Sequence, residues 1–172
     1  MLPSPEQVEY AEVLLRRATD DAHACRVLVA DTEVGDSIVG FHAQQAVEKA
    51  FKAALVLADS ELPRTHDIEL LVEQVEEAGT KVPDELSSTD WLTPWAAELR
   101  YDEPIALDRL AALAVAESAV GWAESLLAKA SATDPQDSIQ GSVLSETDPT
   151  QPDETPATTG NPTPPDPPRA TS

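Results

Sequence analysis

The sequence predicts an all-α protein, an antiparallel up-and-down bundle of four long helices with a short fifth. Three observations carry this expectation. Apolar residues recur at alternating spacings of three and four over long stretches, and the period-two alternation of a half-buried strand is absent. The composition also breaks near Ala130, which confines the bundle to residues 5–130 and leaves 131–172 as a disordered, acidic, proline-rich tail.

In the first helix, Val8, Ala11, Leu15, Ala18, Ala22, Cys25 and Val29 form an apolar seam of the bundle kind, and Pro5 suits its first turn. The segment Asp31–Asp36, with Gly35, ends that helix and opens the next. The second helix spans about Asp36 to Ala58. At 100° per residue, Val39, Ala43, Ala46, Val47, Ala50, Ala54 and Leu57 share one face, and its many alanines let a neighbouring helix approach closely. The opposite side carries Gln45, Glu48, Lys49 and Lys52, with His42 at its border, while Phe41, Phe51 and Leu55 extend the apolar surface around another flank. After a loop at residues 59–64, Thr65 is expected to cap a third helix whose stripe is Ile68, Leu71, Val72 and Val75, closed by Gly79. A loosely helical segment follows from Pro83. Thr93-Pro94 reads as the N-cap and first residue of a short helix anchored by Trp91, Leu92, Trp95 and Leu99. Pro104 opens a last long helix to about Ala130, with Ala112, Val115, Ala119, Trp122 and Leu126 on one face.

Charge narrows the function classes. The chain has 32 acidic residues against 11 Lys and Arg, a formal charge of −21, and residues 1–130 are acidic on their own. Such a surface repels nucleic-acid phosphates and anionic membranes rather than attracting them. The single cysteine, Cys25, permits neither a disulfide nor a Cys-rich zinc site, and it sits in the apolar seam where a small core residue belongs. The N-terminus lacks the charged and apolar regions of a signal peptide, and no run approaches eighteen consecutive apolar residues, so a cytoplasmic location is expected. Nine of the fifteen prolines fall in the tail, where Pro162–Pro168 favours a polyproline conformation. Adjacent carboxylates such as Asp20-Asp21, Glu76-Glu77 and Asp102-Glu103 are expected by chance in so acidic a chain and nominate no metal. There is no Gly-rich phosphate loop, and no metal or cofactor is expected.

One run is more specific than a packing pattern. Phe41-His42-Ala43-Gln44-Gln45-Ala46-Val47-Glu48-Lys49-Ala50-Phe51-Lys52-Ala53 resembles the second-helix signature of the HEPN family, the higher eukaryotes and prokaryotes nucleotide-binding domain. Pro63-Arg64-Thr65-His66-Asp67-Ile68, Leu70-Leu71 and Arg100-Tyr101 follow in the order that family shows, so the resemblance covers about residues 5–130. It implies a helical bundle that usually pairs as a homodimer. It also implies one of two activities. Many members are metal-independent ribonucleases, often toxins, in which an Arg is followed after four to six residues by a His at the start of the last helix. Histidine there serves as general acid or base on a ribose hydroxyl, and arginine stabilises the phosphate transition state. Other members lack that His and either bind nucleotides or partner a minimal nucleotidyltransferase.

This chain departs from the ribonuclease pattern. Arg100 is followed by Tyr101-Asp102-Glu103-Pro104-Ile105-Ala106-Leu107, and Arg109 by an apolar run; the only histidines are His23, His42 and His66. The expectation is therefore a non-catalytic HEPN-type module, nucleotide-binding or the partner of a minimal nucleotidyltransferase in a toxin–antitoxin-like pair. The alternative is a divergent ribonuclease using Arg100 with His66 or His42 brought in from another helix or subunit. The candidate binding residues are Arg100, Tyr101, Lys49, Lys52, Gln45, His42 and His66. Arg100 and Tyr101 either hold a nucleotide or form a structural corner with Glu98, Asp102 or Glu103. Lys49 and Lys52 read as an anion site or, with the greater weight, as a solvated strip. His66 reads as a helix cap or as a catalyst, and His42 as a contact to a partner.

Overall fold

The computed structural model describes residues 2–96 and 106–132. The expected tail and the Arg100-Tyr101 corner lie outside the described residues. Within them the protein is all-helical, in five helices: α1 (Pro5–Leu28), α2 (Asp36–Leu57), α3 (Ile68–Glu77), a 3-10 helix (Asp90–Ala96) and α4 (Arg109–Ala132). At ten residues, α3 is less than half as long as the other three α-helices.

α1 begins at a reciprocal cap. The Ser4 hydroxyl accepts the Gln7 backbone N–H, the Gln7 side chain accepts that of Ser4, and Pro5 takes the first helical position. The expected seam is buried as Ala11, Leu15, Ala18, Ala22 and Cys25. On α2 the expected face is buried as Val39, Ala43, Ala46, Val47, Ala50 and Ala54, and the flank of Phe51 and Leu55 is buried as well. Gln7 at the start of α1 reaches Asp59, just past the end of α2, so the two helices run antiparallel.

Three helix boundaries differ from expectation. Asp67, not Thr65, caps α3, its carboxylate accepting the N–H groups of Glu69 and Leu70. The Thr65 hydroxyl instead accepts the Asp67 N–H and shapes the turn before the helix. The short helix starts at Asp90 and is 3-10, with Pro94 inside it. Thr93 does not cap that helix; its hydroxyl accepts the Ile68 N–H and so satisfies a free donor at the start of α3. Residues 106–108 are not helical, and α4 starts at Arg109, with the Asp108 carboxylate on the Ala111 N–H. Gly79 ends α3 as expected. At φ +83° it lets Thr80 N–H reach the Val75 carbonyl and its own N–H reach Glu76, a double bond pattern that closes the last turn.

α2 is the central element, touching every other helix. Trp95 of the 3-10 helix lies so close to Gly40 that a Cβ there would sit 2.5 Å from the indole ring. Glycine at that position is a packing requirement. On α4 the fully buried stripe is Ala112, Ala116, Ala119 and Ala123, about one residue around the helix from the expected face. Val115, Trp122 and Leu126 pack at its flank, half-buried, with Trp122 against Phe51 at 5.4 Å between ring centres. α4 is long and apolar enough, by length and composition, to cross a membrane, although Glu117 and Glu124 interrupt its apolar surface.

Candidate functional site

The polar residues of the α2 signature do not form a solvated strip. They lie in a continuous hydrogen-bonded chain between α1, α2 and the loop before α3. At one end Asp21 of α1 receives both Lys49, at 2.8 Å, and the Nδ1 side of His42, at 2.9 Å. Lys49 also donates to the Gln45 side-chain oxygen at 2.7 Å. The Gln45 amide donates to Gln44, and the Gln44 amide donates to Glu48 at 2.9 Å. Lys52 donates to the other oxygen of Glu48 at 2.7 Å, and His66 Nδ1 lies 3.0 Å from Glu48. No buried side-chain nitrogen or oxygen among the described residues lacks a partner.

The helical geometry explains the arrangement. Gln45, Lys49 and Lys52, at steps of four and three, stack along one edge of α2, and Glu48 precedes Lys52 by four, the favourable order for an acid–base pair. That edge faces α1 and the 58–67 loop instead of water. Lys49 and Lys52 are only 19% and 16% exposed, and Glu48 only 6%. The greater weight given to a solvated strip is thus corrected: two neighbouring cations tolerate burial because each has a carboxylate within 2.8 Å. Burial alone would raise the Glu48 pKa, but the hydrogen bonds from Lys52, Gln44 and His66 outweigh it and hold it below the ordinary value.

The loop is latched onto α2 by the same group. Lys52 donates to the Thr65 carbonyl, Gln44 to the His66 carbonyl, and His66 meets Glu48 through its ring. His66 precedes the Asp67 cap, so it is not a helix residue; its ring stays 66% exposed, with Nδ1 held by a buried carboxylate. His42 is tied to Asp21 and stacks edgewise on Phe41. Of the expected site residues, Gln45, Lys49, Lys52, His42 and His66 therefore belong to one network, while Arg100 and Tyr101 lie outside the described residues. The sequence reading missed Asp21, the acceptor for two of them. It passed over Asp20-Asp21 as a chance pair, yet Asp21 adjoins the buried Ala22 in the α1 seam, and that adjacency is the available signal.

Arg109 is equally committed. Its guanidinium donates to the Asp36 carboxylate and to the carbonyls of Asp31 and Val34, and Asp36 also accepts the Leu107 N–H at 3.0 Å. The Leu107 N–H, followed by the Arg109 side chain, lowers the Asp36 pKa. Arg26 pairs with Glu117 on the surface. No group of three His, Cys, Asp or Glu side chains among the described residues comes together to hold a metal.

The described residues thus form a helical bundle whose central helix carries an internally neutralised polar run. The HEPN domain model matches residues 11–132, and the chain belongs to the HEPN domain family. It is 40% identical over 50 residues to the protein named "Putative toxin MJ1304" of Methanocaldococcus jannaschii, a match spanning 29% of this chain and 32% of that relative. No solved structure matches the chain.

Proposed function

We propose that this chain is a non-catalytic HEPN module that acts by binding a protein, a minimal nucleotidyltransferase in a toxin–antitoxin-like pair. The observation that carries the reading is the neutralisation of the α2 cations. Lys49 is spent on Asp21 and Lys52 on Glu48, so neither offers a free charge to a nucleotide or RNA phosphate. Arg109, the second arginine near the start of the last helix, is spent on Asp36. Nucleotide contact then falls to Arg100 and Tyr101. The family membership and the toxin name of the relative support the pairing. The test is co-expression with the adjacent reading frame. A stable complex with a nucleotidyltransferase supports the reading; no such neighbour, or no complex in calorimetry, refutes it.

The second reading is a divergent ribonuclease, and His66 favours it. A carboxylate on Nδ1 fixes ring orientation and leaves Nε2 as the free face, the arrangement a general base needs. RNA cleavage lost in both His66→Ala and Arg100→Ala would establish it, and no cleavage by the wild-type protein ends it.

A further inference from the structure

The 3-10 helix and the residues leading into α4 form a groove of about 450 Å3, lined by Trp91, Trp95, Ala106, Leu107, Asp108 and Ala111. Two of the chain's three tryptophans lie in it. Trp95 is fixed in place, its ring packed against Gly40 and only 6% exposed. Trp91 is 39% exposed, while Leu92 beside it is fully buried. An indole left this open keeps a large apolar surface in water, and tryptophan is among the residue types that most often anchor a protein interface.

The charge of the groove decides what fits it. Asp108 is its one charged lining residue, and the exposed Asp90 directly precedes Trp91. The Asp108 carboxylate caps α4 through Oδ1, on the Ala111 N–H, so Oδ2 is open to a donor from outside. The neighbouring base, Arg109, turns instead to Asp36, Asp31 and Val34. Indole faces are negative at their centres, so two of them beside a carboxylate attract a cation and repel a phosphate. A guanidinium suits the groove better than an ammonium. It is planar, stacks on an indole, is less strongly hydrated and can offer two N–H groups to one carboxylate. A second copy of this chain, with its own formal charge of −21, approaches such a rim only against repulsion.

We infer that this groove receives an arginine side chain of a partner protein, its guanidinium stacked on Trp91 and bonded to Asp108. The inference rests on the reading above only in taking the partner to be a protein. It names the surface and the side chain that hold that partner, and it uses no residue of the α2 network.

The experiment is a titration of the 15N-labelled full chain with acetyl-Gly-Arg-Gly-amide, followed at the indole N–H signals. Trp91 and Trp95 are expected to shift, and Trp122, which packs against Phe51, to stay in place as the internal reference. The same peptide with citrulline for arginine, neutral but of similar shape, is expected to bind weakly or not at all. Trp91→Leu keeps an apolar side chain and is expected to weaken binding roughly fivefold. Asp108→Asn keeps a capping side chain and is expected to weaken it by a similar factor. Glu73→Gln on the exposed side of α3 changes the net charge by the same amount as Asp108→Asn and is expected to leave binding unchanged. Trp122 shifting as much as Trp91, a citrulline peptide that binds as tightly, unchanged affinity in Trp91→Leu, or a response to adenosine monophosphate alone overturns the inference. The titration needs no nucleotidyltransferase, so its failure and the absence of that complex are separate results.

Discussion

Replacing Glu48 by glutamine tests the buried network at its centre. The side chain is 6% exposed and accepts Lys52 at 2.7 Å, Gln44 at 2.9 Å and His66 at 3.0 Å. Glutamine keeps the volume but turns one oxygen into an NH2, which must face one of three donors. Breaking a buried pair from one side costs about 3–5 kcal/mol, because the remaining charge stays buried. Lys52 keeps the Thr65 carbonyl at 3.0 Å and some contact with water, which places the expected loss at the lower end, about 3 kcal/mol. At about 3–5 °C per kcal/mol for a domain of this size, Tm falls by roughly 10 °C. Urea unfolding at neutral pH, followed by circular dichroism, measures it. Adding Lys52→Met to the same chain removes the stranded cation and is expected to recover part of the loss, about 1 kcal/mol or more of coupling. A Glu48→Gln protein within about 0.5 kcal/mol of wild type would refute the reasoning, since that is the range of ordinary surface substitutions.

Other perturbations probe other elements. Gly40→Ala is expected to cost about 1–3 kcal/mol by overpacking against Trp95, visible as a lower urea midpoint with native helix content. Arg109→Ala removes the donors to Asp36, Asp31 and Val34 and is expected to cost about 1–2 kcal/mol in the same assay. Burial, with Glu117 nearby, pushes the Cys25 thiol up to about 11, so it is expected to react with a thiol reagent only as fast as the chain unfolds; rapid labelling of native protein would contradict its place in the core. Acid unfolding has a defined sign. The folded pKa values of Glu48 and Asp36 lie below their ordinary 4.5 and 3.8, so their contribution is complete above those values and is lost as pH falls through the lower folded values. In a pH titration of stability, Glu48→Gln is expected to flatten that decline.

Periodicity made the helices legible because burial on one face leaves a three-and-four spacing in any bundle. The seam of α1, the alanine face of α2 and the stripe of α3 are all where spacing puts them. The caps were less legible, since Thr65 and Asp67 are both good cap residues two positions apart and the choice depends on where Thr93 arrives from twenty-five residues away. α4 was shifted because several of its faces are apolar, so hydrophobicity alone does not say which one is buried. At the candidate site, the Glu48–Lys52 pair follows from local spacing. The Lys49–Asp21 and Arg109–Asp36 pairs join residues 28 and 73 positions apart, and no local pattern encodes them. Those distant partners give Lys49 and Arg109 each a carboxylate supplied from another part of the chain.

The central claim is that the polar network of α2, with His66 held at its end by Glu48, belongs to a non-catalytic module and performs no RNA chemistry with Arg100. Incubation of the purified full chain with a mixed single-stranded RNA, beside the His66→Ala and Arg100→Ala variants, tests it most directly. The account predicts intact RNA in all three reactions. Cleavage by the wild type that disappears in both variants would contradict it.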